Sequence, residues 1–265
     1  MVDDRLKFAQ DLAREAGSLL KQGLGGRHSI HTKSQAVDLV TEFDLRSEQL
    51  ILERLHAQYE GEAILSEESG ARGESGATWV VDPLDGTTNF AHGMPIFSVS
   101  IAYTVNGRLQ MGVVFDPMRD EMFYASAGQG AFLNGQRLQV SDIGRLDVSL
   151  MVTGFPYEVW VSDANNLDHF RDFALRTHGV RRTGSAALDL AYVAAGRFEG
   201  YWEISVYPWD WAAGALLVRE AGGRVTQVDG TEQLAFDAPT IVASNGQLHE
   251  QMLAVLAQSP GADGG

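Results

Sequence analysis

The chain has 265 residues, 45% of them hydrophobic, with 20 Lys and Arg against 35 Asp and Glu, a formal charge of −15, and no cysteine. Without cysteine there can be no disulfide, no thiolate nucleophile and no Cys-ligated zinc or iron–sulfur centre. The acidic balance argues against direct nucleic-acid binding.

The opening residues Met1-Val2-Asp3-Asp4 are acidic where a secretory leader is basic. No run nears the roughly 18 apolar residues of a membrane span. These features predict a cytoplasmic protein without membrane contact. Leu6, Ala9, Leu12, Ala13, Ala16, Leu19 and Leu20 recur at helical spacing, predicting a helix over 3–22 that ends at Gly23-Leu24-Gly25-Gly26. A second helix is predicted over 44–59, then strands at 62–66 and 78–82. Phe97–Val105 and Leu109–Phe115 are β runs joined by Asn106-Gly107, a hairpin dipeptide. Strands at 122–125 and 131–133 follow, with Asn134-Gly135 at the next corner. In the second half, strands are predicted near 149–153, 180–183, 198–203, 223–228 and 240–244. Helices are predicted near 162–176, 186–195, 210–221 and 246–257. This mixture implies stacked α and β layers. The expected organisation is one domain over 1–258, of two intimate α/β halves, with a flexible tail at 259–265.

Chemistry concentrates in Trp79-Val-Val-Asp82-Pro83-Leu84-Asp85-Gly86-Thr87-Thr88-Asn89-Phe90. An apolar strand runs into two aspartates, a glycine and two hydroxyl residues. Gly86 lets backbone approach a ligand, and a helix opening at Gly86 or Thr87 offers unpaired N–H groups to a phosphate. Carboxylates suit hard divalent cations. Taken alone, the segment is equally well a capped helix and a turn. Two further acidic clusters shift that balance: Ser66-Glu67-Glu68-Ser69 after a strand, and Trp209-Asp210-Trp211 at a helix start. Asp210 by itself reads as a helix cap, and Glu67 and Glu68 as solvated loop charges.

Together with Val37–Asp44 and Gly184-Ser185-Ala186, these segments resemble the inositol monophosphatase family, magnesium-dependent and lithium-sensitive phosphatases with an α-β-α-β-α sandwich fold. The resemblance runs from residue 3 to about 257. It implies metal ligands Glu67, Asp82, Asp85 and Asp210 with the Leu84 carbonyl, holding two or three Mg²⁺ per subunit. It implies that Thr87, hydrogen-bonded to Asp44, orients the attacking water, that Glu67 takes part in catalysis, and that the amides of Gly86 and Thr87 receive the phosphate. Lys33 matches a lysine on a loop near the metals; beside Ser34 it reads equally well as a surface charge. Gly184, Ser185, Ala186, Glu203 and Asp210 are the implied contacts to the alcohol part of the substrate. Ser66 stands where the family often has Gly, and Ser185 where it often has Thr.

The implied activity is hydrolysis of myo-inositol monophosphate. Fructose 1,6-bisphosphate, histidinol phosphate, NADP and adenosine 3′,5′-bisphosphate are alternatives within the family, and a homodimer is its common assembly. A haloacid-dehalogenase nucleophile is disfavoured, because that pattern spaces its aspartates by two and this one by three. The seven scattered histidines form no His-Glu-x-x-His zinc site. A regulatory binding protein on the same scaffold is the reading from a different class. The −15 charge does not exclude an anionic substrate if cations supply the positive charge.

Overall fold

The computed structural model describes residues 2–26, 30–32, 39–156, 159–162, 165–232 and 234–258. The elements, in chain order, are α1 (Val2–Gly23), β1 (Ile30–Thr32), β2 (Leu39–Thr41), α2 (Glu42–Gln58), β3 (Ala63–Ser66), β4 (Gly70–Arg72), β5 (Ala77–Asp85), α3 (Thr87–Ala91), β6 (Ser98–Val105), β7 (Arg108–Asp116), β8 (Glu121–Ser126), β9 (Gly130–Leu133) and β10 (Gln136–Arg137). They continue as β11 (Leu150–Thr153), α4 (Leu167–Ala174), β12 (Gly179–Arg181), α5 (Ala186–Ala194), β13 (Gly200–Ile204), α6 (Pro208–Glu220), β14 (Arg224–Thr226), β15 (Thr240–Ser244) and α7 (His249–Leu256).

Two large sheets organise these elements. One has eight strands in the order β10-β9-β8-β7-β6-β5-β3-β4, and the other five in the order β12-β11-β13-β15-β14. Helices α1 and α2 cover the eight-stranded sheet, α5 and α6 lie between the sheets, and α4 and α7 cover the five-stranded sheet. This is the expected α-β-α-β-α layering. Each interface has its own core: Leu12, Ile51, Trp79 and Phe97 under α1 and α2, Leu190, Trp211 and Leu217 in the centre, and Phe173, Trp202 and Met252 on the far side.

Burial patterns follow from this layering. Helix α6 has sheet on both sides, so it is apolar nearly all round instead of striped. In β13 the side chains alternate: Tyr201 packs into the central core, while Trp202 stacks on Phe173 in the outer one at 4.0 Å. The Asn106-Gly107 turn has both residues at positive φ, 50° and 71°, as a two-residue hairpin requires.

Several boundaries differ from expectation. The helix predicted at 162–176 begins only at Leu167, because the Asn166 side chain is committed elsewhere. Its Nδ2 donates to Thr153 Oγ1 and to the Gly154 carbonyl, and its Oδ1 accepts from Trp202 Nε1. Helix α7 likewise starts later than predicted, after Asn245 Oδ1 has accepted the amides of Gln247 and Leu248. Strands β1, β2, β4 and β10 have two or three residues each, too short for a periodicity to register. Among the described residues, no helix is long and apolar enough to cross a membrane.

Gly112 on β7 marks a close approach of α6 to the sheet. A Cβ there would stand 2.8 Å from Ala213 Cα and 2.9 Å from its carbonyl oxygen. Backbone cannot swing aside as a side chain can, so Gly112→Ala should destabilise the protein by about 1–3 kcal/mol through overpacking. Chemical denaturation of the two proteins side by side measures this, and equal midpoints would contradict the close approach.

Candidate active site

The expected strand at 78–82 is longer, and the difference shapes the site. Strand β5 continues through Asp85, pairing Asp82 with Ser100 and Asp85 with Ser98 on β6. Pro83 and Leu84 together therefore face the single residue Val99, which is a β-bulge. In a regular strand, residues three apart point to opposite faces. The extra residue cancels that reversal, and both aspartates reach one cavity. Pro83, which has no N–H to give a ladder, is tolerated in such an irregularity. The bulge is internally tied: Leu84 N–H donates to Asp82 Oδ1 at 3.0 Å, and Ser47 Oγ donates to the Pro83 carbonyl at 2.8 Å.

The chain then turns at Gly86, with φ 101°, into the short helix α3. A Cβ at Gly86 would lie 3.1 Å from the Ile96 carbonyl and 3.2 Å from that of Gly184, so a side chain is excluded by conformation and by space. Asn89 fastens this turn to the other half of the molecule, donating to the carbonyls of Ile96 and Thr183, both at 2.8 Å.

The cavity has a volume of about 330 Å³ and brings together Glu67, Asp82, Asp85 and Asp210. Glu67 is set beside Asp82 by its backbone, whose N–H donates to the Val81 carbonyl at 3.2 Å. Asp210 is set by Ser100, whose hydroxyl donates to the Trp209 carbonyl at 3.2 Å. Thr87 and the Leu84 carbonyl complete this wall: Thr87 Oγ1 lies 2.7 Å from Asp44 Oδ1 and 3.1 Å from Leu84 O. Asp44 Oδ2 is held in turn by Thr41, through its N–H at 2.8 Å and its hydroxyl at 2.6 Å.

Three of these acids sit at helix N-termini, where unpaired amides and the helix dipole favour negative charge. Asp44 and Asp210 are the third residues of α2 and α6 and accept the N–H of Thr41 and Tyr207 respectively. Asp85 reaches across from β5 to the start of α5. It accepts the amides of Ala186 at 3.1 Å and Ala187 at 2.9 Å, with the hydroxyls of Ser185 at 2.5 Å and Ser98 at 3.2 Å. The Ser185 hydroxyl and the Ala186 amide, expected to face the alcohol part of a substrate, are therefore engaged by Asp85 here. The physical reason is the carboxylate's demand for donors in a buried position.

Glu203 on β13 also lines the cavity, and the buried Tyr201, two residues earlier on the strand, donates its hydroxyl to Glu203 Oε2. Gly154 makes room for that carboxylate, since a Cβ there would overlap both Glu203 oxygens at 2.1 Å. Asp189, Arg182 and Gly184 also line the cavity. Asp189 accepts from Thr183 Oγ1 at 2.5 Å.

Charge is crowded here. Burial, reinforced by the like charges of Glu67, Asp85 and Asp210, pushes the Asp82 carboxyl well above the usual range. Burial does the same to Asp210 against the opposing bond from Tyr207. Asp85 rises to about 6 and Glu203 to about 7, burial outweighing the hydrogen bonds each accepts. Asp44 is raised by burial too, with the Thr41 and Thr87 bonds opposing.

The bonds to Asp82, Asp85 and Asp210 come from neutral donors, and among the described residues no Lys or Arg forms an ion pair with them. Hard oxygen donors short of positive charge fit a divalent cation. The acids surround the cavity without closing on one point: among the described residues, no three His, Asp or Glu side chains form a ready-made cage. That openness suits Mg²⁺, which keeps several waters and takes one or two carboxylates with substrate oxygens. Lys33 and Ser34 lie outside the described residues.

Ser98, Ser100, Asn89, Tyr201, Gly154, Asp189 and Arg182 were not legible as site residues. Only Asn89 falls inside a motif. Ser100 and Gly154 act on partners distant in sequence, Trp209 and Glu203 respectively.

A layered α/β scaffold with a cavity of metal-type carboxylates, next to a helix-opening Gly-Thr and a Thr–Asp pair, has the architecture of a metal-assisted phosphatase. The chain belongs to the inositol monophosphatase family, whose profile matches residues 1–260. It is 43% identical over 257 residues to an inositol-1-monophosphatase of Synechocystis, covering 96% of this chain and 89% of that one. It is 45% identical over 260 residues to a Pseudomonas aeruginosa protein named Nus factor SuhB, covering 95% of each. The solved inositol monophosphatase of Anabaena superposes with a TM-score of 0.89 at 42% identity, covering 98% of both chains.

The raised carboxyls fix a pH dependence. Asp85 titrates at about 6 in the folded chain against an ordinary 3.8, so the folded state binds its proton more tightly. Its contribution to stability is complete below about pH 4 and lost as pH rises through 6. In EDTA the melting temperature should fall from pH 4 to pH 7, and Mg²⁺ should raise it more at pH 8 than at pH 5. An equal Mg²⁺ shift at both pH values would detach the cation from this cluster.

Proposed function

We propose that the chain is a Mg²⁺-dependent phosphomonoesterase acting on myo-inositol monophosphate, with residues 1–258 as one catalytic unit. The observation that carries this reading is a single cavity lined by Glu67, Asp82, Asp85, Asp210 and Glu203, with Thr87 bonded to Asp44. Its volume, about 330 Å³, suits a small ester.

The four carboxylates and the Leu84 carbonyl would hold two or three Mg²⁺. Bound there, the cations supply Lewis-acid stabilisation of phosphate charge and lower the pKa of water. The chain's own residues do the rest. The backbone at Gly86 and Thr87 receives phosphate oxygens where no side chain intervenes. Thr87 Oγ1, with its proton directed toward Asp44, presents lone pairs to a water and aligns it with phosphorus. Water attacks, the bond from phosphorus to the ester oxygen breaks, and phosphate and the free alcohol result. The water's proton passes toward Asp44 through Thr87, and the leaving oxygen takes a proton from solvent. Glu203, aimed by Tyr201, accepts from ring hydroxyls, which favours a polyol over an apolar alcohol.

Asp210→Asn should lower kcat/KM for inositol 1-phosphate by at least about 100-fold at low Mg²⁺, exceeding the roughly 10–100-fold typical of removing an outer partner. Higher Mg²⁺ should recover part of the loss. Unchanged turnover at low Mg²⁺ removes Asp210 from the ligand set.

Glu203→Ala should raise KM for inositol 1-phosphate by about tenfold, the worth of one hydrogen bond to a charged acceptor. With para-nitrophenyl phosphate, which has no ring hydroxyls, KM should stay unchanged; an equal effect on both substrates refutes ring recognition. The same assay run on fructose 1,6-bisphosphate, histidinol phosphate, NADP and adenosine 3′,5′-bisphosphate ranks the alternatives. Folded protein that releases phosphate from none of these with Mg²⁺ present would favour a regulatory binding role.

A further inference from the structure

Glu48 lies on α2, four residues after Asp44, and is only 6% exposed. It belongs to none of the acidic motifs legible in the sequence. One of its oxygens, Oε1, accepts three hydrogen bonds from the end of β3 and the turn after it. They come from the Ser66 hydroxyl at 2.6 Å, the Ser69 amide at 3.0 Å and the Ser69 hydroxyl at 3.0 Å. Ser66 and Ser69 bracket Glu67 and Glu68. With Glu67 N–H donating to the Val81 carbonyl at 3.2 Å, this tetrapeptide is fixed at both ends and at Glu67 itself.

The same helix carries Asp44, which holds Thr87, and Ser47, which holds the Pro83 carbonyl of the bulge. Three successive inward positions of α2 thus hold three separate segments that carry cavity-lining residues: Thr87, the bulge around Pro83, and the turn with Glu67. We propose that Glu48 is a positioning residue: through Ser66 and Ser69 it holds Glu67 at the cavity wall and so sets how tightly the site holds a divalent cation. The proposal rests on the reading above in which Glu67 contacts that cation.

Because all three bonds end on Oε1, Glu48→Gln retains an acceptor oxygen and Glu48→Ala does not. Calorimetric titration of the whole protein with Mg²⁺ after EDTA treatment should give a Kd about tenfold weaker for Glu48→Ala, the lower end for loss of an outer partner. For Glu48→Gln the Kd should stay within about threefold, and kcat at saturating Mg²⁺ should stay within about twofold for both variants. Hydrogen exchange of the Ser69 amide, followed in EDTA, should accelerate in Glu48→Ala and stay slow in Glu48→Gln.

Faster exchange in Glu48→Ala with an unchanged Mg²⁺ Kd reduces the clamp to a structural tie and overturns the proposal. Equal weakening in Glu48→Gln and Glu48→Ala overturns it as well, because charge and not position would then be acting. Glu67→Gln separates the two levels. If that variant binds Mg²⁺ as tightly as the native chain, the ligand reading fails and takes the proposal with it. If it binds weakly while Glu48→Ala does not, only the positioning role fails. Should Glu48→Ala not fold, Ser66→Ala and Ser69→Ala decide: a weakened Kd in both supports the clamp, and native Kd values overturn it.

Discussion

The constraint on which this molecule turns is the packing of several carboxylates around one small cavity. Burial alone raises the cost of each charge, and proximity raises it further, as at Asp82 with Glu67, Asp85 and Asp210 around it. The fold answers with oriented dipoles. Asp44 and Asp210 sit in the first turns of α2 and α6, and Asp85 receives the opening amides of α5. Helix N-termini supply partial positive charge without adding a cationic side chain that would compete with metal ions.

This arrangement also joins the two sheets. Asp85 belongs to the eight-stranded sheet, yet its carboxylate caps a helix of the central layer. Ser100 of the same sheet holds the Trp209 carbonyl at the start of α6, and Asn89 holds the Thr183 carbonyl before Gly184. The bonds that hold Asp85 and the Trp209 carbonyl thus also register one half of the molecule on the other. Disturbing an acid should loosen the interface, and loosening the interface should misplace an acid.

Much of the fold was legible because its signals are local. The period of α1, the β runs around Asn106-Gly107 and the apolar strand leading into Asp82 are each contained in a short window. The departures are equally physical. Helix α4 is shorter than its pattern because Asn166 is claimed by Thr153, Gly154 and Trp202. The end of β5 escapes a local reading because a bulge is defined by the strand opposite, here Ser98 to Ser100. Serines as common as Ser98 and Ser100 carry no mark of their roles.

By itself the sequence determined the class of the protein. Each acidic cluster alone reads equally well as a cap or a loop, but their ordered combination with Val37–Asp44 and Gly184-Ser185-Ala186 carries the family resemblance. It also determined the layers, since alternating apolar periods permit few ways of burying them. Only the tertiary structure decided how the acids meet. The bulge turns Asp82 and Asp85 to one side, Ser100 brings Asp210 to the same cavity, and Gly154 leaves room there for Glu203. These are contacts between residues far apart in the chain, and their geometry exists only once the sheets have packed.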